Sequence, residues 1–107
     1  MTDKEKRQKL VRFLDEKAFD PVVHKSANDY SGKKRQKFED VKRSTASEKK
    51  RFHDRYGTAE EVKKNYLSDL SSRTAKRKQR ELDELGLPTL PEFRKEFMEL
   101  CQKLGVE

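Results

Sequence analysis

The residues able to do chemistry are few and scattered. His24 and His53 are the only histidines, and neither has a second His, Cys or carboxylate at metal-binding spacing on its own helical face. Asp54 adjoins His53 but points elsewhere on a helix. Cys101, between Leu100 and Leu104, reads as a small core hydrophobe rather than a nucleophile. As the only cysteine it can form neither an intramolecular disulfide nor a thiolate cluster. The serines of "STAS" (44–47) and "SDLSS" (68–72) lack a neighbouring base and read as caps and turn formers. Gly32, Gly57, Gly86 and Gly105 are isolated, so no glycine-rich phosphate cradle exists. The paired carboxylates Glu60–Glu61 and Asp83–Glu84 are consecutive, which sends them to different faces of a helix. These patterns predict a protein without enzymatic activity, cofactor or metal.

One segment carries a stronger signature. Residues 31–56, "SGKKRQKFEDVKRSTASEKKRFHDRY", hold ten Lys or Arg against four acids and contribute +6 of the net +7. The candidate anion-binding or nucleic-acid-binding residues are Lys33, Lys34, Arg35, Lys37, Lys42, Arg43, Lys49, Lys50, Arg51 and Arg55. At about 100° per residue, Arg35, Lys42 and Lys49 flank one side of the apolar stripe, and Lys37, Arg51 and Arg55 the other. Arg43 and Lys50 point away from it. A groove-binding helix gathers its cations on one side and adds side chains that read base edges, of which only Gln36 qualifies here. Glu39, Glu48 and Asp54 sit three or four residues from Arg43, Arg51 and Lys50, diluting the field. Exposed stacking aromatics are missing too, since Phe38 and Phe52 fall on the stripe.

The elements that must position these residues are helices. Leu10, Val11, Phe13 and Leu14 give residues 4–18 an apolar face, and Asp20-Pro21 reads both as its stop and as the N-cap and first residue of a short helix over 21–27. Phe38, Val41, Thr45, Phe52 and Tyr56 follow at helical spacing, predicting one long central helix over about 33–56, although Thr45 and Glu48 match a capping box. Gly57 is expected at the left-handed position that ends it. Thr58 and Glu61 form a capping box for the next helix, with Val62, Tyr66, Leu67 and Leu70 inward. Ser71-Ser72 leaves 59–85 readable as one helix or as two. Gly86 with Leu87 closes that region against Leu82, Thr89 and Glu92 open a last helix bearing Phe97, Leu100, Cys101 and Leu104, and Gly105 ends it. No stretch alternates with period two.

The expected fold is all-α: one domain over 1–107, a compact bundle of about five to six helices. Ten Leu, six Val and six Phe, with no Ile, make a thin core for 107 residues of which 44% are charged. The opening "MTDKEKRQKLVRFLDEK" has charges where a secretory signal needs an unbroken apolar run, and a cytoplasmic location is expected. A membrane role for the first helix, and a docking role for "GLPTLPEF", both yield to simpler structural readings. The functional expectation is a small non-enzymatic cytosolic module that binds a macromolecular partner, protein more than nucleic acid, and no membrane. The alternative is a nucleic-acid-binding protein contacting phosphates through 33–55.

Overall fold

In the computed structural model, which describes all residues 1–107, every element is helical and no strand is present. The first helix, α1 (Asp3–Leu14), starts at a reciprocal cap absent from the sequence reading. Thr2 Oγ1 accepts the Glu5 N–H at 3.2 Å, and the Glu5 carboxylate accepts the Thr2 N–H at 3.4 Å. The Thr2 hydroxyl, donating to the Glu5 carboxylate at 3.0 Å, and then the Thr2 N–H hold that carboxyl below its ordinary range.

Asp20 does not cap a new helix. The chain passes from α1 through a π turn, Asp15–Phe19, directly into α2 (Asp20–Val23), and the Asp20 N–H bonds to the Asp15 carbonyl. A proline inside an α-helix removes a donor and clashes with the carbonyl four residues back, and the wider π turn before Pro21 accommodates that ring. The Asp20 carboxylate is used instead in an ion pair with Lys49 at 2.6 Å. The short helix also ends at Val23 rather than at residue 27, and Ala27–Asp29 forms a separate 3-10 turn capped by Ser26.

The long central helix, α3 (Gly32–Asp54), is unbroken. Thr45 lies on its buried stripe with Phe38, Val41 and Phe52 and caps nothing. Gly57 is not left-handed, contrary to expectation. The last carbonyls of α3 are taken by Arg7 of α1, whose guanidinium donates to the carbonyls of Phe52 (3.0 Å), His53 (2.6 Å) and Tyr56. A cation on those orphan acceptors does what a glycine turn would otherwise do, and it complements the helix dipole.

Next come α4 (Ala59–Ser71) and α5 (Arg73–Glu84), two helices rather than one. Thr58 accepts the Glu61 N–H at 3.1 Å at the start of α4, while the Glu61 carboxylate takes the Thr58 hydroxyl. Ser72 is extended and its hydroxyl accepts the Ala75 N–H at 3.1 Å. Gly86 adopts φ 71° after α5, and the Leu87 N–H returns to the Leu82 carbonyl at 2.9 Å, giving the Schellman ending with Leu82 and Leu87 in one apolar cluster. Glu92 accepts the Thr89 N–H at 3.1 Å ahead of a 3-10 turn, Leu90–Phe93, that leads into α6 (Arg94–Leu104). Leu87 and Leu90 are buried, so the "GLPTLPEF" segment spends its apolar residues in the core.

Two apolar clusters result. The larger joins α1, the C-terminal part of α3, α4 and α6 around Leu10, Leu14, Phe52, Val62, Tyr66 and Phe97. The smaller joins α2, the N-terminal half of α3 and the end of α5 around Val22, Phe38, Val41, Leu82, Leu85 and Leu87. Each fully buried Leu, Val or Phe contributes about 1.5–3 kcal/mol. The extents are 47 × 22 × 20 Å, and the 14.2 Å radius of gyration exceeds the roughly 13 Å of an average chain this long. α3 spans both clusters, which accounts for the long axis.

Candidate functional site

Of the ten cations singled out in the sequence, five are tied down within the chain. Arg35 pairs with Glu39 (3.4 Å), so Glu39 serves Arg35 rather than Arg43. Lys37 reaches Glu84 of α5 at 3.0 Å. Lys42 donates to the Lys25 carbonyl at 2.8 Å and stands 5.6 Å from the centre of the Phe38 ring. Lys49 donates to the Asp20 carboxylate at 2.6 Å, and that hydrogen bond raises the Lys49 pKa above its ordinary value. Arg51 lies between Glu48 (3.7 Å) and Asp69 (3.6 Å) and also donates to the Tyr56 hydroxyl at 3.3 Å.

Lys33, Lys34, Arg43, Lys50 and Arg55 are exposed and take no partner within the chain. They do not share a face. Lys33 and Arg55 stand at opposite ends of α3, about 33 Å apart at 1.5 Å per residue, and Arg43 and Lys50 occupy the outer side. Gln36, Asp40, Arg43, Ser47, Lys50 and Asp54 form that outer ridge at successive steps of four and three residues, all exposed.

A second constellation adds to the Glu48–Arg51 pair two residues, Asp69 and Lys78, that lie too far along the chain for spacing to connect them. Where α3 crosses α4 and α5, Glu48, Arg51, Asp69 and Lys78 form a charged quartet. Glu48 and Lys78 are 3.8 Å apart, with only 13% and 15% of their side chains exposed. Desolvation pushes the Glu48 and Asp69 carboxyls up, even though Lys78 and Arg51 pull them down. Desolvation likewise pushes the Lys78 ammonium down against the attraction of Glu48. All three shifts run toward the neutral forms, so removal from water outweighs ion pairing at this site.

The quartet borders a cavity that lies between the two apolar clusters. One wall is apolar, from Phe19, Leu82, Pro88 and Leu90, and the other is polar, from Thr45, Glu48, Lys78 and Gln79. It opens partly to solvent; its empty space is about 340 Å³ with that mouth included, and only about 20 Å³ has room for the centre of a water molecule. Ser44, Ser47, Ser72 and Thr74 rim an outer groove that shares Glu48, Ala75 and Lys78 with the cavity. The sequence signal for this site was the polar Thr45 on an otherwise apolar stripe, with Glu48 one turn on.

The remaining reactive groups are placed as follows. Cys101 is buried and burial pushes its thiol up. His53 Nε2 lies 2.7 Å from Asp15 Oδ2, a cross-helix pairing that spacing along one helix cannot reveal. No three His, Cys, Asp or Glu side chains converge as metal ligands would. The buried Tyr66 hydroxyl donates to the Leu90 carbonyl at 2.6 Å and burial raises its pKa. No helix is long and apolar enough to cross a membrane. A scan against protein-family models, a search of curated proteins and a search of solved structures each find no match to this chain.

Proposed function

We propose that this chain is a non-enzymatic helical binding module of the cytoplasm, and that its partner is a protein met by the outer ridge of α3. The observation that carries the reading is the composition of that ridge. Gln36, Asp40, Arg43, Ser47, Lys50 and Asp54 recur at steps of 4, 3, 4, 3 and 4, are exposed, and make no side-chain hydrogen bond or ion pair within the chain. These steps follow the period of the helix itself, so the six side chains form one straight polar strip along α3 that a partner can meet as a single surface. Its charges run negative, positive, positive, negative, so a partner offering the reverse order is favoured and a copy of the same surface is disfavoured. A phosphate backbone would meet Asp40 and Asp54 along the same line. With Met1 as the sole large hydrophobic side chain left exposed, the contact is polar, salt-sensitive and transient.

A photo-crosslinking amino acid at position 47 tests this in cells, with position 9 on α1 as control. Adducts at position 47 that are protease-sensitive and nuclease-resistant are expected. Adducts removed by nuclease would transfer the reading to nucleic acid, an alternative supported by the unpaired Lys33, Lys34, Arg43, Lys50 and Arg55. Equal labelling at both positions would refute a dedicated ridge.

A further inference from the structure

The cavity between the two apolar clusters holds an unusual concentration of orphaned polar atoms. Thr45 is 2% exposed, and its Oγ1 has no hydrogen-bond partner in the protein. Gln79 Nε2 and Lys78 Nζ are fully shielded and equally without one. Lys78 lies 3.8 Å from the Glu48 carboxylate, close enough for attraction but too long for a hydrogen bond. All four side chains line the same space. A buried donor left unmet is strongly unfavourable, and native proteins almost always satisfy such groups.

We infer that this cavity is a binding site for water, held by Thr45, Glu48, Lys78 and Gln79 as an integral part of the fold. Three features select water over another occupant. First, the room for a water-sized centre, about 20 Å³, exceeds the roughly 10–15 Å³ that one water needs and falls far below what a metabolite needs. Second, the lining offers donors from Lys78 and Gln79 together with an acceptor from Glu48, and the Thr45 hydroxyl serves as either. An occupant must therefore both accept and donate, which a halide or other simple anion cannot do. Third, the site offers three to four polar partners, the number an internal water ordinarily engages. Such a water completes the coordination of Lys78 and bridges α3 to α5 where no direct side-chain hydrogen bond joins them at this level.

The test is water-selective NMR on the ¹⁵N-labelled full chain. The Gln79 side-chain amide is expected to show water cross-peaks with NOE and ROE of opposite sign, the signature of a water held at least as long as the molecule tumbles. The exposed Gln36 and Gln102 amides should show only short-lived contacts. Thr45→Val, which keeps the shape and deletes the hydroxyl, is expected to lose the long-lived cross-peak at Gln79. The wild-type measurement decides the matter even where that variant folds poorly. Absence of the cross-peak in the wild type would overturn the proposal. So would a crystal structure placing Thr45 Oγ1 and Gln79 Nε2 in direct hydrogen bonds to protein groups, or an anomalous bromide peak in the cavity from crystals grown in bromide.

Discussion

Replacing Lys78 with Met is expected to destabilise the fold by about 3–5 kcal/mol, the cost of leaving a buried charge without its partner. Replacing Glu48 and Lys78 together with Met should instead leave the protein as stable as the wild type or more stable. At 3.8 Å and an effective dielectric near 20, the Glu48–Lys78 attraction is worth about 4 kcal/mol. Opposing it, each ion gives up several kcal/mol of hydration on burial. Burial indicates which side wins: desolvation holds Glu48 and Asp69 above their ordinary range, and Lys78 below its own. Deleting both charges removes the attraction and both penalties at once. Deleting Lys78 alone leaves Glu48 shielded, with only Arg51, 36% exposed, at 3.7 Å. Urea denaturation followed by circular dichroism measures all four corners of the double-mutant cycle, where a coupling of at least about 2 kcal/mol is expected. Additive effects, with a coupling below about 0.5 kcal/mol, would refute the view that this pair acts as a unit.

Three further outcomes are expected. Arg7→Ala strips the guanidinium from the end of α3 and should cost about 2 kcal/mol, with faster amide exchange confined to the last turn of α3 and Tyr56; uniform exchange changes would argue against a capping role. Tyr66→Phe keeps the ring against Phe97, 4.2 Å between centroids, but orphans the Leu90 carbonyl, and should cost about 1–3 kcal/mol in a urea melt. The third concerns pH. Because burial raises the folded Glu48 pKa above the ordinary 4.5 of a glutamate, the native state binds that proton more tightly than the unfolded chain. Its contribution to stability is therefore complete below about pH 4.5 and lost as pH rises through the folded pKa. The stability of the wild type relative to Glu48→Gln should fall between acid and neutral pH, and a rise would contradict the burial of this carboxyl.

Local signals carried much of the architecture. Thr58, Ser72 and Thr89 start helices because a hydroxyl or its Glu partner can satisfy N–H groups within three residues, and Gly86 ends one because only a left-handed turn lets Leu87 reach back to Leu82. The Phe38-to-Phe52 stripe is buried as its period requires. The failures at Asp20 and Gly57 share a cause: each competed with a partner remote in the chain, Lys49 for the one and Arg7 for the other. Propensity ranks only the neighbours it can see.

The same distinction governs the candidate sites. Charge counting picked out ten cations on α3; Arg35 is held by Glu39 of the same helix, but the other four bound ones depend on what faces them, through Glu84, Asp20, Asp69 and the Lys25 carbonyl. The Glu48–Lys78 pair joins residues thirty positions apart, beyond any spacing rule. Caps and stripes are settled by atoms within about two turns of one another, which the order of residues already places. Ion pairs across helices, and the polar cavity they enclose, come into being only when packing brings distant faces together and takes water away from them.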